Sequence, residues 1–233
     1  MIFSIEGNIG SGKSTIVEAL RKRLTNQYEM YDYVFLQEPV EDWKSIRDDS
    51  GVGILEKFYT DQEKYGFSFQ MMAYISRLAL IKKTIRENPD SHIITERSIN
   101  TDRNVFAKML RDDGKIEKVN YDIYMKWFDE FVEETKVDYI IYIKADADVC
   151  FHRVQKRARK GEEVIPEQYL KRCGEYHDNW LSNEKNVFSI DVNQDFTDNN
   201  MLERWTNSII TILYEKTPTR YFTSKKLNNN KAI

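Results

Sequence analysis

Eight residues near the amino end, Gly7-Asn8-Ile9-Gly10-Ser11-Gly12-Lys13-Ser14, fit the pattern GxxxxGK[ST], with Thr15 directly behind them. From residue frequencies like those of this chain, a chance match arises in roughly three of a thousand sequences. The chemistry is that of a phosphate cradle. Glycines let backbone N–H groups close on phosphate oxygens, Lys13 is placed to bridge β- and γ-phosphates, and the Ser14 hydroxyl suits Mg²⁺. A helix starting here adds the positive end of its dipole. The implied ligand is a nucleoside triphosphate. The chain has no NKxD segment of the kind a guanine-specific switch carries. Its apolar run Ile93-Ile94-Thr95 ends in Glu96-Arg97-Ser98 rather than in the paired acids of a motor ATPase. Small-molecule phosphoryl transfer is the leading class.

Other residues could complete such a reaction. Glu38 directly follows the strand candidate Tyr33 to Gln37 and precedes Pro39. A carboxylate there lies at the sheet end where open α/β folds bind ligands and can accept a hydroxyl proton; the plain alternative is a solvated strand end. Residues 153–160, RVQKRARK, hold five cations in eight positions. In a helix Arg153 and Arg157 share one face. A solvated basic helix, a nucleic-acid patch and a phosphate-neutralising segment all fit that pattern. Gln70, Ala73 and Arg77, spaced i, i+3, i+7, share a stripe of an otherwise apolar helix. A glutamine amide offers a donor and an acceptor side by side, matching the ring nitrogen and exocyclic amine of cytosine or adenine. A glutamine satisfied within the core is the alternative.

These residues need a frame to position them. Ile2 to Glu6, Tyr33 to Gln37, His92 to Thr95, Asp138 to Ile143 and Val187 to Val192 read as five short apolar strands separated by helical segments, the first helix running to about Leu24. That alternation predicts an α/β fold: a parallel sheet of five strands with right-handed crossovers, flanked by helices on both faces. A helix beginning near Phe67 is apolar around its circumference, which places it centrally or against a second subunit. Residues 121–134 form a second amphipathic helix that could supply the partner face.

The length of 233 residues suits one domain, expected over 1–215, with a polar tail at 216–233. Hydrophobic residues at 41% and aromatics at 13% exclude a disordered chain. Thirty-five basic against 38 acidic residues give a net charge of −3, which provides no global field for holding nucleic acid. Two cysteines, Cys150 and Cys173, build neither a disulfide framework nor a zinc site, so a reducing, cytoplasmic setting is expected. No run approaches the ~20 apolar residues of a membrane span. The chain enters its first strand with no charged leader before it, so the mature protein is expected to begin there.

With Glu38-Pro39-Val40, Glu96-Arg97-Ser98 and Arg153-x-x-x-Arg157-x-Arg159-x-x-Glu162 in order behind the phosphate loop, the chain resembles the deoxyribonucleoside kinases from Ile2 to about Leu213. The resemblance implies ATP- and Mg²⁺-dependent phosphorylation of a deoxynucleoside 5′-hydroxyl, on a P-loop kinase fold with an arginine-bearing lid, as a homodimer through the helices near 67–87 and 121–134. It implies Glu38 as base, Arg97 on the reacting oxygen, and Glu96 beside Ser14 at the metal. Arg153, Arg157 and Arg159 become lid arginines. Glu162, with Tyr59 and with Tyr169 following, becomes the site for the 3′-hydroxyl. Phe69 and Phe106 resemble the aromatics that sandwich the base, and Val40, Trp43, Leu55 and Phe58 the pocket wall. Asp195 and Phe196 resemble a segment touching the donor nucleobase. An Arg77–Asp102 pair goes, in this family, with cytosine and purine nucleosides; a fixed carboxylate accepts from an exocyclic amine and repels a thymine carbonyl. Two other readings stand beside this one. A nucleoside monophosphate kinase shares the loop and lid, but Glu38 would repel a substrate phosphate. A non-catalytic regulatory subunit would not need the full residue set.

Overall fold

The computed structural model describes residues 1–27, 32–159, 161–162, 164–194 and 199–217. Among these, β1 (Ile2–Glu6), β2 (Tyr33–Leu36), β3 (His92–Glu96), β4 (Tyr139–Lys144) and β5 (Val187–Asp191) form one parallel sheet in the order β2-β3-β1-β4-β5. The strands fall within one residue of the sequence reading at each end. β1 lies at the centre and is buried along its whole length, as a parallel strand covered on both faces must be.

Strand alternation sends successive side chains to opposite helical layers. Phe3, Ile5, Ile94 and Ile141 pack with Ile16, Val17 and Leu20 of α1 (Lys13–Gln27) and with Ile209 and Leu213 of α10 (Asn199–Lys216). Ile2 and Ile93 pack on the other side with Tyr74, Leu78 and Ile81 of α4 (Gln62–Glu87) and with Tyr124 and Phe128 of α7 (Lys118–Phe131). Two short helices, α2 (Val40–Ser45) and α3 (Ile54–Thr60), lead from β2 to α4.

α4 begins five residues before the position read from its apolar stretch. Asp61 caps it by accepting from the Lys64 N–H, and a polar first turn hides that start in the sequence. After β3 the chain runs through α5 (Ile99–Thr101), a π-helical turn (Asp102–Ala107) and α6 (Lys108–Asp112). Beyond β4, α8 (Ala147–Arg157) ends where Ala158 adopts a left-handed conformation, and α9 (Glu167–Leu181) follows. α10 includes Lys216, and Thr217 is buried behind it. The rest of the expected tail lies outside the described residues. No described helix is long and apolar enough to cross a membrane.

Candidate active site

Between β1 and α1 the loop bends through Gly7, Gly10 and Gly12, all with positive φ. A Cβ on Gly10 would stand 2.5 Å from the Cys150 carbonyl oxygen, and one on Gly7 2.5 Å from that of Ile143. Glycine is therefore required here by the close approach of β4 and α8 as well as by dihedral angle. The Asn8 side chain ties the loop to α9 through the Leu170 carbonyl (2.8 Å) and accepts from the Ile9 N–H (2.8 Å). Lys13 Nζ donates to the Asn8 carbonyl at 2.6 Å. Burial, with the Arg97 charge adding to it, brings the Lys13 ammonium down to about 7. The Ser11 hydroxyl is buried without a hydrogen-bond partner, and Thr15 stands exposed at the rim.

Ser14 Oγ donates to Glu96 Oε1 at 2.6 Å, joining the first turn of α1 to the end of β3. No described group of three or more His, Cys, Asp or Glu side chains forms a metal cage. A hydroxyl beside one carboxylate fits Mg²⁺, which takes few protein ligands and completes its shell with phosphate oxygens and water.

A cavity of about 430 Å³ extends from this loop between α2–α4 on one side and α8–α9 on the other. Glu38, at the carboxyl end of β2, accepts from Arg97 Nη1 at 2.9 and 3.0 Å and from Arg77 Nη2 at 2.9 Å. Burial works to raise the Glu38 carboxyl, but the Arg97 and Arg77 charges overcome it and hold the group at about 2. Arg77 also donates through Nε to Asp102 Oδ2 at 2.9 Å and through Nη1 to the Glu96 carbonyl at 3.3 Å. Burial keeps the Asp102 carboxyl above its ordinary value, with Arg77 pulling the other way. The π-helical turn, a feature that recurs at functional sites, brings both Asp102 and Phe106 onto the cavity wall.

Phe106 lies beneath the Arg97 guanidinium, 5.3 Å from its carbon. Opposite, Phe69 stacks on Phe58 (4.4 Å between centroids) and meets Trp43 edge-on (5.8 Å). Val40, Leu55 and Ala73 complete this wall. Gln70 is buried on the cavity with its Oε1 lacking any hydrogen-bond partner. At the far side Glu162 accepts from Arg157 Nη2 and from Arg159 Nη1 (3.2 Å), near the edge-on pair Tyr59–Tyr169 (5.8 Å).

Arg153 reaches from α8 to the phosphate loop. Its guanidinium donates to the carbonyls of Ser11 (3.4 Å), Val192 (2.7 Å) and Gln194 (2.6 Å), so it bolts the phosphate loop to the chain leaving β5 while its side chain still borders the cavity. Asp195 and Phe196 lie outside the described residues.

Glu6 and His177 are buried polar groups near the site that the sequence reading does not mark. Glu6, on β1, is fully buried, and its signal was a carboxylate closing a strand otherwise read as core. His177 is buried beside Phe106 and Tyr142; its Nδ1 meets the Cys173 carbonyl at 2.7 Å, and burial lowers it to about 3. No spacing rule marks it in the sequence.

A central strand, a glycine loop with Lys13, a helix starting at that lysine and a cavity facing it define a P-loop phosphotransferase. The family model described as deoxynucleoside kinase matches residues 3–213, and the chain belongs to that family. It is 35% identical over 193 residues to a probable deoxycytidine kinase of fowlpox virus, across 81% of this chain and 75% of that protein. It is 31% identical over 226 residues to human deoxycytidine kinase, across 84% and 85% of the two chains. Human mitochondrial thymidine kinase 2 is also 31% identical, over 182 residues, 77% of this chain and 64% of that one.

Proposed function

We propose that the chain transfers the γ-phosphoryl group of ATP to the 5′-hydroxyl of a 2′-deoxynucleoside, and that it prefers deoxycytidine or purine deoxynucleosides to thymidine. The observation that carries the reaction is Glu38 and Arg97 in contact across the mouth of the Lys13 loop. Glu38 orients the acceptor hydroxyl and takes its proton, while Arg97 and Lys13 balance charge on the transferred group. Little base strength is needed, because phosphoryl transfer has a loose transition state governed by positioning and electrostatics. Ser14 and Glu96 would hold Mg²⁺, which neutralises phosphate oxygens when bound.

Arg157 and Arg159 serve as lid cations in this reading. In the free protein they are spent on Glu162. A deoxyribose 3′-hydroxyl donating to Glu162, with Tyr59 beside it, would release them toward the phosphates. Tyr169, edge-on to Tyr59, would back that corner.

Base preference rests on the Arg77–Asp102 pair and on Gln70, whose unpartnered acceptor suits an exocyclic amine. Phe69 and Phe106, both on the cavity wall, would serve as stacking surfaces for the base. Percentage identity does not choose the base, since the cytidine- and thymidine-named human relatives are each 31% identical over the matched residues. A second copy of the chain is proposed to cover α7 and the adjacent face of α4, where Ile75, Val119, Ile123 and Trp127 are 42–59% exposed.

Radiolabelled ATP offered with the four deoxynucleosides and their monophosphates tests the assignment. Transfer to deoxycytidine or a purine deoxynucleoside, with thymidine weaker, is expected. Transfer to monophosphates alone would favour a nucleoside monophosphate kinase. No transfer would favour a regulatory subunit.

A further inference from the structure

β1 is buried on both faces, yet the face it shares with Ile2 carries Ser4 and Glu6, each with no exposed surface. A carboxylate on the central strand of a sheet loses its hydration and is tolerated only if its lone pairs are satisfied. Glu6 Oε1 accepts from the Ser4 hydroxyl, from the Ser98 N–H at 2.9 Å and from the Ser98 hydroxyl at 2.7 Å; Oε2 accepts from the Thr101 hydroxyl. The partners are three hydroxyls and one backbone N–H. Three of the four donors belong to the turn immediately after Arg97. Ser98 occupies the N-cap of α5 but makes no side-chain cap there; its hydroxyl is used on Glu6.

That turn is strained. Arg97 has φ +63°, a left-handed conformation that a non-glycine residue holds only when its surroundings over-determine it. Its own N–H donates to the Ile5 carbonyl at 3.0 Å, its carbonyl accepts from Thr95 Oγ1 at 2.8 Å, and the next peptide N–H is taken by Glu6. From this backbone position the guanidinium reaches both oxygens of Glu38 and, at 3.3 Å, the carbonyl of Gly7. Burial works against the Arg97 charge; Glu38 counters it, and the Glu6 charge adds more weakly to the cationic state.

We infer that Glu6 is a positioning residue for phosphoryl transfer: by gripping Ser98 and Thr101 it locks the peptide after Arg97, and so aims the guanidinium at Glu38 beside the phosphate loop. The inference rests on the role given to Arg97 above. A carboxylate serves here because it accepts on both oxygens. Glu6→Gln keeps the shape but turns one acceptor into a donor that faces Ser98 or Thr101.

The test is a double-mutant cycle. Glu6→Gln is expected to lower kcat on the order of 10- to 100-fold, the size of effect produced by a misplaced catalytic group, with the KM for ATP changed by less than about threefold. In an Arg97→Ala background the same substitution should change kcat by less than about twofold, because the group it positions is gone. An undiminished loss in that background overturns the proposal, as does an unchanged kcat beside a lowered Tm. Ser98→Ala removes one donor without placing an amide in the core. It should show a smaller loss with the same dependence on Arg97, and it carries the test if Glu6→Gln does not fold. An arm that needs no activity follows the Arg97 Nε–Hε resonance, assigned through Arg97→Lys, in ¹⁵N-labelled protein. The resonance should move in both variants, and a fixed resonance refutes the inference even if the acceptor proves not to be a nucleoside.

Discussion

Removing Arg77 should cost more stability than removing its partner Asp102, and removing both should cost no more than removing Arg77 alone. Arg77 and Asp102 side chains are each 2% exposed. Arg77 is the shared donor to two carboxylates, Asp102 and Glu38, and to the Glu96 carbonyl. Arg77→Met therefore strands Asp102 entirely and leaves Glu38 to Arg97; breaking a buried pair in this way costs about 3–5 kcal/mol. Asp102→Ala leaves Arg77 with Glu38 and the carbonyl, so the expected loss is that of charged hydrogen bonds, about 1.5–3 kcal/mol. The double variant strands neither group and should lose no more than Arg77→Met alone, giving a coupling of at least roughly 1.5–3 kcal/mol. At about 2–4 °C per kcal/mol for a chain of this size, Arg77→Met should melt roughly 6–20 °C below wild type. Urea titrations with equal m-values, beside thermal melts, measure all three. Strict additivity, or an Arg77→Met loss below about 1 kcal/mol, would refute the shared-donor account. The double variant should also gain thymidine relative to deoxycytidine in kcat/KM, since the carboxylate facing a thymine carbonyl and the bulk beside its 5-methyl are both removed. An unchanged ratio sinks the specificity argument while leaving the stability argument intact.

Glu38→Gln should reduce kcat far more than ATP affinity, and equal losses in both would argue against its role on the acceptor hydroxyl. Because its folded carboxyl is held at about 2 against an ordinary 4.5, Glu38 contributes stability above pH 4.5 that is lost as pH falls toward 2, roughly 3 kcal/mol in all. Wild type minus Glu38→Gln in acid melts should show that loss confined to this window; a difference independent of pH would exclude it. Gly10→Ala, forced against the Cys150 carbonyl, should abolish binding of a fluorescent ATP analogue while deoxynucleoside binding persists, and intact ATP binding would contradict the packed-loop geometry. Trp127→Glu should shift light-scattering mass from dimer to monomer if α7 is the subunit face. A wild-type mass already monomeric rejects that face.

How much was legible in the sequence depended on how local the physics is. The five strands and the phosphate loop were readable because strand burial and the loop's φ requirements are written in neighbouring residues; Gly7, Gly10, Lys13 and Ser14 lie within eight positions. Glu38, Glu96 and Arg97 were legible as strand-end residues, because parallel strands deliver their carboxyl ends to one edge. The start of α4 was not, because its signal is an aspartate cap ahead of a polar turn rather than an apolar period.

What the chain determined alone was the ordering of its elements, the phosphate-binding loop and the inventory of its charged groups. Only the tertiary structure decided which groups meet. Arg153 and Arg157 share a helix, yet one donates to three backbone carbonyls and the other to Glu162. Arg77 is divided between carboxylates 39 and 25 positions away. Glu6 is matched to a turn 92 residues downstream. Hydrogen bonds and ion pairs act over about 3 Å, and the fold sets such distances by bringing remote segments together, so residue type announces a donor or an acceptor while the packing of the sheet and its helices assigns the partner.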